Sequence, residues 1–443
     1  MYCKSFLRLA GKTQVYAPSS GDHRRTRLTH TLEVSQIART VAKALCLDCD
    51  LTEAIALGHD IGHTPFGHAG EQILHEIMSP PEKDNSLTVK ATVIYKKLKD
   101  SPKTDDYSSF YGFKHNLQSV RCTVEDLESR DRRFGLDLTN YTLWGIMHHS
   151  SYSYKEGRVA TEYIVPHYYD HYMQYWMHDT CNEAWSFEAF IVAEADEIAQ
   201  MHHDLEDAIR GKALSEKEVL NLLGKLESLM DVGDKDILYQ LKNGEVTREY
   251  LISSVSKIIV NTLVSTLYKS SRHNLLKLIK RYEDDGKSIS EIFKRSYKDQ
   301  EIVSLIGYDV ELSFSNSKII GEFHNELSNT GLYTYDVQRS DSKGKYIIKN
   351  LFEAYYTNPQ QLPDSALRNL YKILRDNDYK LEPEEDCFRI ESAKLRKAIF
   401  KAVRSIIDNE DINYDILIMR SICDYIAGMT DNFAISEYEK LYG

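Results

Sequence analysis

Between positions 27 and 45 the apolar residues Val34, Ile37, Ala38, Val41, Ala42 and Leu45 return at intervals of three and four, the period that lines one face of an α-helix. A second helix is predicted to start at Thr52 and Glu53, ahead of Ala54, Ile55 and Leu57, and to end at the glycines 58 and 62, so that its last turn presents His59 and Asp60. From 187 to about 209, Phe190, Ile191, Ala195, Ile198, Ala199 and Leu205 supply the buried face of another helix. Asp196, Gln200 and Asp204 fall on one stripe of it, at i, i+4 and i+8. Strand patterns are sparse: 333 to 336 and 345 to 349 flank the turn-rich SDSKG and are predicted to form one small hairpin. Segments 79 to 110 and 151 to 182 are polar, tyrosine-rich and weakly periodic, the pattern of long loops, which often act as functional lids. The expected fold is therefore all-α, with at most one β-hairpin.

Composition narrows the partners. Fifty-five Lys and Arg stand against 67 acidic residues, and a net charge of -12 argues against broad adhesion to nucleic acid or anionic membrane, leaving room for a local basic pocket. MYCKSFLRLAGK lacks the apolar run of a signal peptide, and no unbroken apolar stretch is long enough for a membrane span, so a soluble, cytoplasmic protein with no membrane partner is expected. Of the seven cysteines only Cys46 and Cys49 make a C-x-x-C pair. Without a second pair, these are expected to be two free thiols at a helix end.

Sixteen histidines would mean little if dispersed, but His59, Asp60, His63 and His68 crowd into GHDIGHTPFGHAGE, with His30 upstream in RTRLTH. An adjacent His and Asp can bind a divalent cation, because imidazole nitrogen suits transition metals and carboxylate oxygen suits harder ions. His30 on the preceding helix and an acidic residue on a later one would complete the set. Asp196, among Ala193, Ala195 and Ala199, is the best candidate, since a carboxylate on a small-residue face is costly to bury unless paired or metal-bound. The spacing does not choose among Mg, Mn, Fe, Ni and Zn.

RTRLTHTLEVSQIAR, GHDIGHTPFGHAGE, FKHNLQSVR, GLDLTNYTLWGIMHH, AEADEIAQMHHDLEDA and DYIAGMTDNFA, in this order from about residue 6 to 435, closely resemble the bacterial deoxyguanosinetriphosphate triphosphohydrolase family of the HD superfamily. The resemblance implies an HD helical core at 1 to 230, closed by a C-terminal helix at 420 to 443, and a helical accessory region at 231 to 420. It makes His30, His59, Asp60 and Asp196 the ligands of a divalent metal. It places His63, His68 and His115 among the active-site histidines, with Glu71 one helical turn after His68. Arg27, three residues before His30, matches an arginine that binds the α-phosphate, a task suited to a guanidinium fork. Gln14 and Asp204 match positions that hydrogen-bond the sugar 3′-hydroxyl. Gln200 stands where relatives usually carry a tyrosine beside the sugar. DYIAGMTDNFA is expected to pack the last helix onto the catalytic half, with Tyr425 or Asp431 lining the pocket as the minority reading.

The implied reaction is hydrolysis of a deoxynucleoside triphosphate to deoxynucleoside and tripolyphosphate, by attack of a metal-bound hydroxide on the α-phosphorus, with His68 as acid to the leaving 5′-oxygen and Glu71 orienting its ring. A homo-oligomer, often a hexamer, and a possible nucleotide effector come with the resemblance. Two rival readings stand beside it: another HD phosphohydrolase, such as a nucleotidase or alarmone hydrolase, and a non-catalytic nucleotide sensor.

Overall fold

A computed structural model of the chain describes residues 3–13, 25–78, 112–124, 135–150, 184–244, 246–297, 299–311, 313, 315–332, 334–376, 379, 381, 388–409 and 412–443. Among these residues there are no β-strands, only an isolated antiparallel bridge between Thr13 and Thr26. The first helices are α1 (Lys4–Arg8), α2 (Arg27–Ala44), α3 (Cys49–Gly58), α4 (Gly67–Met78), α5 (His115–Val124), α6 (Asn140–His148) and α7 (Phe187–Arg210). They are followed by α8 (Glu216–Lys225), α9 (Val232–Asn243), α10 (Arg248–Asp284), α11 (Ser315–Leu327), α12 (Tyr335–Thr357), α13 (Asp364–Asp376), α14 (Ser392–Asn409), α15 (Ile412–Ala427) and α16 (Asp431–Tyr442), with short helical turns between them.

The helix ends follow local chemistry. Thr26 accepts from the Thr29 amide at 3.3 Å while the Thr29 hydroxyl accepts from the Thr26 amide at 3.2 Å, a reciprocal box that starts α2 where its apolar stripe begins. The start of α3 lies earlier than the pattern predicts: Asp48 is the cap, accepting from the amides of Asp50 and Leu51, and Thr52 lies inside the helix with its hydroxyl donating back to Asp48 O at 2.6 Å. Cys46 and Cys49 are free thiols at this junction.

The expected hairpin is instead the continuous helix α12, whose Ile347, Ile348, Leu351, Phe352 and Tyr355 are buried. Its Gly344 marks a close crossing rather than a turn: a Cβ there would come within 2.7 Å of Phe66 Cβ. Tyr333 lies outside the described residues, as do segments 79 to 110 and 151 to 182. α10 carries a stretch apolar and long enough to cross a membrane by length and composition, but its Leu251, Val255, Ile258, Ile259, Leu263 and Leu267 are buried in the core and it packs along α7.

Two large apolar clusters organise the fold. One joins α2, α3, α5 to α7 and α8 to α11; the other joins α4 to α12, α13, α14, α15 and α16. The turn from His59 to Gly67, between α3 and α4, passes from the first cluster to the second, so its residues sit at the seam. Asp431 pins that seam, accepting from Phe66 N at 3.0 Å with one carboxylate oxygen and from Thr13 N at 2.9 Å and Thr13 Oγ1 at 2.5 Å with the other. Buried Lys12 donates to the carbonyls of His63 and Ala427, and Asp424 forms an ion pair with Arg121 at 2.8 Å and accepts from Gln118 at 3.1 Å. The DYIAGMTDNFA segment therefore fastens the C-terminal helices to the His59–Gly67 turn through polar contacts.

Candidate metal centre and active site

Three helices deliver the metal-donor set. His30 comes from the first turn of α2, His59 and Asp60 from the end of α3, and Asp196 from the middle of α7, and these three helices pack against one another. Asp196 Oδ1 lies 2.8 Å from His30 Nε2 and 3.6 Å from His59 Nε2, and Asp60 Oδ1 lies 3.8 Å from His59 Nε2. His59 Nδ1 is 2.6 Å from the Ala56 carbonyl, so in the neutral ring the proton sits there and the lone pair of Nε2, which has no hydrogen-bond partner, faces the carboxylates. A buried, unpartnered imidazole lone pair aimed at two carboxylates fits a divalent cation.

The charges reinforce this. Burial works against a charge on His59, but Asp60 and Asp196 outweigh it and raise its pKa to about 9. Burial likewise opposes the Asp60 carboxylate, yet Arg27 and His59 hold it well below the usual range; for Asp196 the hydrogen bond from His30 and the nearby His59 do the same. Without a metal the two carboxylates are balanced by Arg27 and a charged His59, and a divalent cation fits the same place by replacing the His59 proton. Arg27 donates from Nη1 to Asp60 Oδ2 at 2.6 Å and is 4% exposed, so it braces the metal-side carboxylate; its Nε has no partner.

The turn itself is set by backbone contact. Gly62 is required because a Cβ there would lie 2.1 Å from Ser119 N of α5. Ser119 Oγ accepts from Gly62 N at 2.9 Å and donates to His59 O at 2.8 Å, which fixes the turn against α5.

A second cluster adjoins the first. Glu71 accepts from Lys114 Nζ and from His115 Nδ1, both at 2.6 Å, while His68 Nδ1 lies 3.7 Å and His63 Nε2 4.0 Å from it. The i, i+3 spacing does bring Glu71 beside His68, but the short contact goes to His115. The rings of His63 and His115 stack at 4.5 Å. Burial pushes both histidines below their ordinary pKa, in His115 against the pull of Glu71. Glu71 is held well below the carboxylate range, burial being outweighed by His115 and Lys114. His68 is the exposed member, at 63%.

His149, inside a motif singled out in the sequence but given no role, joins the two clusters. Its Nε2 is 3.2 Å from His115 Nε2, its ring is 5.0 Å from that of His59, and burial with the neighbouring His59 and His115 drives its pKa to about 3. Sequence offered two adjacent histidines here and no means to choose; His148 stacks on Trp144 at 4.2 Å instead. Lys114 also escaped the sequence reading, since one lysine beside a histidine carries no signal until Glu71 is known to face it.

On α7, Gln200 is partly buried one turn after Asp196, and Asp204 one turn further is 1% exposed with neither carboxylate oxygen partnered. Burial, then Asp207 and Glu197, push Asp204 up to about 7. Gln14 lies outside the described residues. Tyr425 packs its ring 5.5 Å from Tyr355, and Asp431 serves as the clamp described above.

Residues 27–155 match the HD domain family, and residues 388–440 match the phosphohydrolase-associated domain. Over its whole length the chain is 32% identical to a deoxyguanosinetriphosphate triphosphohydrolase-like protein of Bartonella quintana, covering 87% of that relative. A protein of the same description from Parvibaculum lavamentivorans is 30% identical over 99% of this chain and 87% of its own, and one from Geobacter metallireducens is 29% identical over 100% and 86%.

Proposed function

Because the chain belongs to the deoxyguanosinetriphosphate triphosphohydrolase-like family of HD-domain phosphohydrolases, we propose that it hydrolyses deoxynucleoside triphosphates to deoxynucleoside and tripolyphosphate. The observation that carries this reading is the continuity of the two clusters: the cation-binding set His30, His59, Asp60 and Asp196 adjoins the set His63, His68, Glu71 and His115 through Asp60 and His149. Cation binding and proton handling can therefore act on one substrate.

A divalent cation held by His30, His59, Asp60 and Asp196 would supply Lewis-acid charge at a phosphoryl oxygen and make a water more acidic. Arg27, fixed by Asp60, adds a permanent positive charge beside the same place, suited to an α-phosphate oxygen. The leaving 5′-oxygen needs a proton as its bond to phosphorus breaks. Burial keeps His63 and His115 neutral near pH 7, so neither holds a proton to give; His68, exposed beside Glu71, is the donor in this reading. His115, tied to Glu71, then serves to hold that carboxylate in register and to receive or relay the proton. Asp204, with Gln200 between it and the metal set and with Gln14, would meet the deoxyribose. This reading also takes the protein to be a cytoplasmic homo-oligomer, a hexamer being the first expectation for light scattering.

The direct test incubates the purified protein with each of the four deoxynucleoside triphosphates and Mg²⁺ or Mn²⁺ and resolves the products chromatographically. Deoxynucleoside with intact tripolyphosphate is the expected pair. Orthophosphate from a deoxynucleoside monophosphate, with the triphosphates untouched, would replace this reading by a nucleotidase.

A further inference from the structure

A second group of metal-donor side chains lies on the helix pair that carries His30 and Asp196, and nothing proposed above uses it. Glu33 stands one turn after His30 on α2, and His202 and His203 stand on α7. The Glu33 carboxylate contacts His203 Nε2 directly, and the donor atoms of Glu33, His202 and His203 all lie within 4.8 Å of one another. Zinc bonds of roughly 2.0–2.2 Å in a tetrahedron separate neighbouring ligand atoms by about 3.3 Å, so small side-chain rotations suffice to close this set.

Other features point the same way. Successive residues on a helix project about 100° apart, yet the rings of His202 and His203 converge to 4.3 Å between centroids. His202 Nδ1 lies 3.2 Å from the Ala199 carbonyl, and a proton donated there leaves the Nε2 lone pair available, the orienting contact usual behind a metal-bound imidazole. Arg25, whose charge acts on both histidines, is itself paired with Glu206. Glu33 is 41% exposed, which gives an ion a way in and leaves room for water as a fourth ligand. We propose that Glu33, His202 and His203 form a second divalent-metal site, of the two-imidazole, one-carboxylate type that favours transition metals, clamping α2 to α7 beside the catalytic ligands.

The experiment strips the full-length protein with EDTA, titrates it with Zn²⁺ alone, and counts bound ions per chain by elemental analysis, with Zn²⁺-dependent melting as a second readout. His202→Ala and Glu33→Gln are each expected to bind one Zn²⁺ fewer than the parent and to lose part of its Zn²⁺-dependent rise in Tm. Asp196→Asn is expected to lose a different equivalent, and its combination with His202→Ala to lose both. Unchanged stoichiometry in both His202→Ala and Glu33→Gln would overturn the proposal and leave Glu33–His203 as a hydrogen bond tying two helices. Should His202→Ala fail to fold, Glu33→Gln, at a partly exposed carboxylate, decides alone.

Discussion

Asp196 Oδ1 is in reach of both His30 and His59, so one oxygen links α2, α3 and α7 at the site. Replacing that charged ligand by a neutral amide weakens coordination to a hard cation, and Asp196→Asn is expected to abolish turnover and lower the metal content of the protein. Unchanged metal stoichiometry and activity would take Asp196 out of the site. His68→Ala is expected to lose about two to four decades in kcat while binding metal and substrate nearly as before, the usual worth of a general acid. Glu71 holds His115 and Lys114 more closely than His68. Glu71→Ala and His115→Ala should therefore behave as one unit, the double variant losing little more than the worse single one; additive losses in kcat would separate their roles. Gln200 can hydrogen-bond a 2′-hydroxyl where a tyrosine ring would exclude it, so Gln200→Tyr is expected to raise the ratio of dGTP to GTP turnover.

At the scale of the element, α7 carries an unusual load of buried acid. Burial lifts Asp204 and the half-buried Glu194 each to about 7, and the half-buried Asp207 to about 6. The unfolded chain releases the Asp204 proton near 3.8 and the folded chain only near 7, so the folded state binds more protons throughout that window. The stability owed to this group is complete below the lower value and is lost as pH rises through the higher one. Asp204→Asn is expected to flatten part of that decline and to stabilise the metal-free protein at pH 8 by up to about 4 kcal/mol. Glu194 and Asp207 act in the same direction, so some slope must remain. Denaturant titrations at pH 5, 6.5 and 8 read this; a parallel shift of the variant at all three values would assign the effect to packing. On α12, Gly344→Val forces a branched side chain against Phe66 and is expected to cost roughly 1–3 kcal/mol. Adding Phe66→Ala should recover part of the loss, which a helix-propensity effect alone would not do.

For the whole molecule, Asp431 is one of the contacts that tie residues far apart in the chain, joining Thr13, Phe66 and α16 across the seam between the two apolar clusters. The turn that Asp431 clamps carries His59, Asp60 and His63 of the proposed site, so the C-terminal helices help to hold that turn in place. Periodicity alone located α2 and α7 closely, because each buries a stripe that recurs every three to four residues. The density of His and Asp pointed to His30, His59, Asp60 and Asp196 because few structures other than a metal site make so many neighbouring imidazoles and carboxylates worth burying, and the fold brings these four together. Local pattern failed where distant chain supplied the reason: Gly344 reads as a turn until Phe66 is seen beneath it, and Thr52 reads as a cap until Asp48 is seen in that place. What sequence by itself determined was the all-α class and the dense His and Asp pattern at His59 and Asp60, since both are written in short-range spacing and residue type; that His30 and Asp196 meet them is set by the packing of α2, α3 and α7. Only tertiary structure decided that Glu71 belongs with His115, that His149 rather than His148 faces the metal set, that Arg27 leans on Asp60, and that Glu33 meets His202 and His203. Each of these depends on which faces of separate helices meet, and spacing within one helix does not encode that.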